Sequence, residues 1–197
     1  MKQIAIGLKG MIHSAPAMPV FLVGANVGGK ANFLTAAWSG VGCAEPLMLT
    51  VPIRHTRYTL KGIEENGTLS FCLPPASLVE QTDYCGIESG SKVDKVAACG
   101  FEPFYGKLET APMIAQCPVN FECSVHDKID LGSHVLVIAK VEEIHAAESC
   151  LKDGKPDIDR MDAFVYTTTP VKEYRRIGDF IAKAYSVGRG MAKRGRG

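Results

Sequence analysis

Two segments of this 197-residue chain carry residues of the right types and spacing to do chemistry. One holds Asn32, Thr35, Ala36, Ala37 and Trp38; the other runs from Pro46 into Arg54, His55, Thr56 and, three residues on, Thr59. Each is an apolar, strand-like stretch that ends in clustered hydroxyl, backbone-donor and cationic groups. Three threonines, an arginine and a histidine brought together in this way suit a phosphate and a polar ring edge. Hydrogen bonds to phosphate from guanidinium, hydroxyl and backbone N–H are charge-assisted, short and roughly twice as strong as neutral ones. The cluster points to a phosphorylated cofactor.

The elements that must position these groups are mostly strands. Residues 20–25 form a short buried strand by composition, and Asn26, Val27, Gly28, Gly29 and Lys30 form a turn. Residues 46–53 read as a second strand and 68–73 as a third. Between them, Leu60 and Ile63 are spaced helically and Asn66-Gly67 gives a stop signal. Residues 78–84 and 93–99 read as short helices around a glycine-rich stretch, 86–90. Residues 119–125 alternate with period two, and 134–144 open as an apolar run before alternating, with 126–132 joining them as a hairpin. A helical stripe of Ile177, Phe180, Ile181 and Ala184 predicts a helix over 174–185 packed on the outside. Strands outnumber helices and do not alternate with long ones. The expected fold is therefore mainly β, an antiparallel barrel with short peripheral helices. A single domain spans 1–197, with its core at about 15–150 and a C-terminal helix and tail over 151–197.

Several functions are disfavoured. A net charge of +1 argues against a nucleic-acid binder that works by neutralising phosphates. The one basic concentration, 189–197, is glycine-rich and terminal, and reads as a solvated end. The apolar run near the start is too short for an export signal, and no stretch approaches the roughly 20 residues needed to span a bilayer. Seven scattered cysteines, an odd number, fit reduced thiols and a cytoplasmic location better than a disulfide framework. None is spaced to hold a metal. Gly24 to Lys30 matches a nucleotide-binding P-loop until Ala31, where Mg²⁺ needs Ser or Thr, so a hairpin turn is the reading. Ser89 lacks the spacing of a hydrolase nucleophile. Cys85, in the glycine-rich stretch, is the thiol to watch for redox reactivity. Trp38 suits either core packing or the wall of an aromatic cofactor's pocket.

The order of these motifs resembles the flavin reductase-like family. The resemblance rests on Met18-Pro19-Val20, on Asn32, Thr35, Ala36, Ala37 and Trp38, on Pro46, and on Arg54, Thr56, Tyr58 and Thr59. It continues through Ile63 and Gly67, then Ser89, Gly90, Lys92, Asp94 and Lys95, then Gly132, Ser133 and His134, and is echoed at Tyr174 to Gly178. Ala37-Trp38-Ser39-Gly40 is the variant shared by its flavoredoxin branch. The resemblance implies a split barrel that holds FMN noncovalently, usually as a homodimer with the flavin near the subunit interface. It places Thr35, Ala36, Ala37 and Trp38 against the isoalloxazine, with Asn32 in the same binding segment. Arg54, His55, Thr56 and Thr59 serve the ribityl chain and phosphate, and Lys92 and Lys95 add phosphate charge. His134 matches a family histidine near the flavin or nicotinamide, although Ser133 replaces the family's Asp. The implied activity is redox, as an NAD(P)H-dependent reductase using NADH or NADPH. The alternatives are an electron carrier served by a redox protein partner and a nonredox flavin-binding module.

Overall fold

The structure is a computed structural model and describes residues 17–168, 171–189 and 191. The N-terminal run 1–9 and the basic tail from 192 onward lie outside the described residues.

Chain order runs β1 (Met18–Pro19), β2 (Phe21–Val27), β3 (Lys30–Ala36), β4 (Gly40–Ala44) and β5 (Leu47–Arg54), then helix α1 (Tyr58–Asn66) and β6 (Thr68–Leu73). Helices α2 (Val79–Ile87) and α3 (Lys95–Cys99) follow, with two-residue strands β7 (Pro103–Phe104) and β8 (Met113–Ile114). The long hairpin β9 (Val119–Asp130) and β10 (His134–Ala146) completes the main sheet. Beyond it lie β11 (Leu151–Lys152), β12 (Lys155–Pro156), α4 (Ile158–Met161), β13 (Phe164–Thr167) and β14 (Glu173–Arg176).

Seven strands make one antiparallel sheet in the order β3-β2-β6-β9-β10-β5-β4. Its two edge strands, β3 and β4, are neighbours in sequence, joined by Ala37, Trp38 and Ser39 alone. Laid flat, the edges of seven strands would stand about 29 Å apart at roughly 4.8 Å per spacing. Four Cα steps reach at most about 15 Å. The sheet therefore has to curl until its edges face each other. Because β3 and β4 do not pair with one another, the barrel stays split along that seam.

The barrel interior is filled by alternate residues of its strands, among them Val23, Leu34, Val51, Ile53, Leu69, Phe71 and Val137, with Leu60 and Ile63 of α1. The opposite faces of β2 and β3 are also covered. Leu22 and Phe33 join Cys72, Cys85, Phe101, Met113 and Ile114 in a second cluster beneath α2 and α3. Burial on both faces explains why β2 reads as a continuous apolar run rather than an alternating one. Gly28 and Gly29 form the β2–β3 hairpin turn, so the P-loop-like sequence is a turn. Helix α1 ends where expected, with Gly67 following in the left-handed region.

The C-terminal expectation needs correcting. Residues 174–185 do not form a helix: Glu173–Arg176 is a strand paired with β13, and no helix runs over the described residues from Ile177 to Ala184. Among the described residues the stripe is left largely uncovered, with Phe180 and Ile181 82% and 95% exposed. A short helix gains little in water without a buried face. What holds this region is Tyr174, stacked edge-on against Phe164 and donating from its hydroxyl to Asp83 of α2 at 2.9 Å. No helix among the described residues is long and apolar enough to cross a membrane.

Candidate functional site

The seam opens into a two-lobed cleft. On one side is the end of β3 with its continuation through Ala37 and Trp38; on the other are the facing ends of β5 and β10. Arg54 and His134 are direct partners across those two strands, so the register itself brings the cation beside the imidazole.

The first lobe, of about 200 Å³, is lined by Arg54, Thr56, Arg57, Tyr58 and Thr59 at the start of α1, with Glu88, Ser89, Gly90 and Lys95 as the opposing wall. The second, of about 170 Å³, is lined by Thr35, Ala36, Ala37 and Trp38 on one side and Pro52, Ile53 and His134 on the other. Leu34, Arg54 and Arg57 line both, which makes the two lobes one cleft. The polar lobe sits at a helix N-terminus, where backbone N–H groups and the helix dipole favour an anion. Arg57, in the N-cap position, uses no side-chain cap bond there.

Each wall is pinned from behind. Thr35 donates its hydroxyl to the Thr82 carbonyl, which ties β3 to α2. Asn32 donates to the Thr59 hydroxyl at 2.7 Å, and both residues are buried. Gly90 is required where it stands, because a Cβ there would overlap the Asn32 carboxamide and press on the Tyr58 ring. Arg57 donates to the Gly86 carbonyl at 3.0 Å.

The expected site residues divide accordingly. Thr35, Ala36, Ala37, Trp38, Arg54, Thr56, Thr59 and His134 all line the cleft. Asn32 stands one layer behind it, as the support for Thr59. His55 is turned away: its Nε2 lies 3.0 Å from the Gly132 carbonyl and 3.5 Å from an Asp130 carboxylate oxygen. His55 lies one residue past the end of β5, in the turn that leads to α1, and that turn carries it away from the cleft. Lys92 is exposed and lines a neighbouring groove with Lys30 and Val93, not the cleft. Lys95 lines the polar lobe but is 4% exposed, and its ammonium donates to the carbonyls of Phe33 (2.9 Å) and Cys85 (2.8 Å). Burial lowers its pKa from the ordinary lysine value. It is a buried brace between β3 and α2 rather than a free phosphate cation. Arg57, central to both lobes, was not singled out from the sequence. Its signal was its place within the Arg54–Thr59 cluster.

Trp38 and His134 face each other across the seam with ring centroids 5.2 Å apart. Ser133 Oγ lies 2.8 Å from His134 Nδ1. Burial, then the Arg54 and His55 charges, lower the His134 pKa below the ordinary imidazole value. The ring is therefore neutral at pH 7, able to donate one hydrogen bond and accept another. Because the folded pKa lies below the unfolded one, the penalty for protonating His134 is absent above about 6.5 and fully present below the folded pKa. Nuclear magnetic resonance titration of His134 is expected to give a midpoint below 6.5, and His134→Gln to reduce the loss of stability on acidification through that window. An ordinary or raised midpoint would contradict the electrostatics of the cleft.

The chain matches the flavin reductase like domain over residues 14–168. A flavoredoxin from Methanosarcina acetivorans is 39% identical and superposes with a TM-score of 0.90, over 97% of this chain and 100% of that one. A flavoredoxin of Desulfovibrio vulgaris (Miyazaki F) is 32% identical with a TM-score of 0.85, over 96% and 100%. An FMN reductase (NADH) of Methylorubrum extorquens is 28% identical over 65% of this chain and 73% of its own length. Matched over most of its length, this chain belongs to the flavin reductase-like domain family.

Proposed function

We propose that the protein binds FMN noncovalently in the seam cleft and acts as a redox flavoprotein, an NAD(P)H-dependent flavin reductase-like oxidoreductase. The observation that carries this reading is the junction of the two lobes. A hydroxyl- and guanidinium-lined lobe at a helix N-terminus opens directly into a flat lobe walled by small residues and two rings.

The donor set fits the cofactor. Arg54 and Arg57 offer forked donors, Thr56 and Thr59 hydroxyls, and the first turn of α1 its N–H groups. Together they suit a dianionic phosphate. Ala36 and Ala37 leave room for a flat ring system beside Trp38. Strand β3 is a sheet edge, so it presents backbone N–H and C=O groups to the polar rim of that ring. With Ala37 at this position no side-chain hydroxyl reaches the rim, and recognition there falls to the backbone. Bound FMN supplies the hydride and single-electron chemistry. The protein's residues bind, orient and desolvate it, and neutral His134 holds a hydrogen bond at the open side of the cleft, where a nicotinamide would stack.

A second reading is favoured by the likeness to two flavoredoxins. In it the protein is an electron carrier that exchanges electrons with a redox protein and has no pyridine-nucleotide activity of its own. Anaerobic mixing with NADH or NADPH separates the two. Rapid bleaching of the bound flavin by either nucleotide supports the reductase. Bleaching only by an electron-transfer protein supports the carrier, and a flavin inert to both would contradict the redox reading.

All seven cysteines are free thiols, which suits a reducing cytoplasm. The exposed apolar side chains Ile177, Phe180 and Ile181 favour a homodimer that would cover them. Sedimentation of the intact chain should give twice the monomer mass; a monomer that keeps its flavin would refute an interfacial cofactor.

Arg54→Ala and Arg57→Ala should each weaken FMN binding by about 10- to 150-fold, the equivalent of losing a hydrogen bond to a charged group at roughly 1.5–3 kcal/mol. Lys92→Ala should change it far less. Fluorescence titration of the flavin-free protein provides the check.

A further inference from the structure

The second apolar cluster brings two of its thiols into contact with each other. Buried cysteines ordinarily serve as small core fillers, and Cys72, Cys117 and Cys123 fit that role. Cys85 and Cys99 differ. Their sulfurs lie 3.9 Å apart, one on α2 and the other at the end of α3, and Cys99 is partly exposed while Cys85 is fully buried. The segment 86–98 that lies between them contains the whole opposing wall of the polar lobe, Glu88, Ser89, Gly90 and Lys95.

We propose that Cys85 and Cys99 are a thiol–disulfide exchange site for a small-molecule disulfide, and that forming the internal disulfide weakens flavin binding. The Cys99 thiolate, the accessible one, attacks a sulfur of the small disulfide. That S–S bond breaks, one small thiolate leaves, and a mixed disulfide forms on Cys99. The Cys85 thiolate then attacks the Cys99 sulfur and expels the second small thiolate. Two protein thiols are oxidised, the small disulfide is reduced to two thiols, and the two protons given up by the cysteines pass to the leaving thiolates.

The coupling to the cleft follows from what surrounds Cys85. Its carbonyl accepts from Lys95 Nζ, and the next carbonyl, that of Gly86, accepts from Arg57. A disulfide bond is about 2.05 Å long, so the sulfurs must close by nearly 2 Å from 3.9 Å. Movement of the α2 end displaces both carbonyls and with them Arg57 and Lys95. Burial pushes the Cys85 thiol up to about 12 and raises the Cys99 thiol above its ordinary value, so both steps are slow at neutral pH and speed up about tenfold per pH unit as the thiolate fractions grow.

The test treats the full chain, free of flavin, with oxidised glutathione at mildly alkaline pH, followed by acid quench, alkylation and peptide mass mapping. The expected result is a Cys85–Cys99 crosslinked peptide that dithiothreitol reverses. Cys99→Ser should abolish it, and Cys85→Ser should trap a stable glutathione adduct on Cys99. If Cys85→Ser fails to fold, the Cys99→Ser comparison still decides. Both thiols recovered alkylated, or a Cys99 adduct that never resolves in the unmutated protein, would overturn the site. The coupling alone rests on the FMN reading: the oxidised protein should bind FMN several-fold more weakly than the reduced protein, and equal affinities would overturn it. Because the crosslink is read without flavin, failure of the FMN reading leaves the exchange site independently testable.

Discussion

Three residues, Ala37, Trp38 and Ser39, connect the two edges of a seven-stranded sheet, and this short link sets the geometry of everything functional in the molecule. A link of that length forces the sheet to close on itself, while the missing β3–β4 pairing keeps it from zipping shut. The result is a barrel with a built-in slot. An exposed sheet edge is normally a liability because its backbone groups invite another strand. Here the edge faces a cleft whose other wall carries Arg54 and His134, so its unpaired groups face that cleft rather than a stray strand. The position of the cleft is thus a consequence of topology, and the side chains decide what it accepts.

Electrostatics refines that choice from behind the surface. The Lys95 ammonium is buried, and a buried charge is costly unless it is hydrogen-bonded. Its two carbonyl partners belong to β3 and α2, so satisfying the charge also fixes the spacing between the slot's edge strand and the helix behind it. Arg57 ties the start of α1 to the same helix α2 through the Gly86 carbonyl. The cleft therefore has a positive lining held by main-chain contacts, with Thr59 braced by Asn32. Such bracing keeps donors in place before any ligand arrives, which lowers the entropy cost of binding.

Much of this was legible in the sequence, for physical reasons that differ by element. The strand Thr68–Leu73 and the helix ending at Asn66-Gly67 are locally determined, by β-branched and apolar composition in one case and a stop signal in the other. Strand β4 was not legible: Gly40 and Gly42 weaken the strand signal, and only pairing with β5 makes it one. The helical stripe over 174–185 misled because periodicity reports amphipathicity, not whether a partner surface exists. Among site residues, Arg54 and Thr56 were read from residue type, yet type could not separate Arg54 from His55, since the strand ends between them and the turn that follows decides which one faces the slot. Lys92 and Lys95 looked equivalent in sequence. Only the fold buries one against two carbonyls and leaves the other in the next groove.

If the seam cleft recognises a flavin through its phosphate, as we propose, FMN and riboflavin must bind it very differently. The two share the ring and ribityl chain and differ only in the phosphate. Quenching of flavin fluorescence on titration into the flavin-free protein should show saturable binding of one FMN per chain. Riboflavin should bind at least about 100-fold more weakly, which is the loss of roughly 2.7 kcal/mol of charge-assisted contact. Equal affinities for the two, or no binding of either, would contradict the assignment of Arg54, Arg57, Thr56 and Thr59 to a phosphate site.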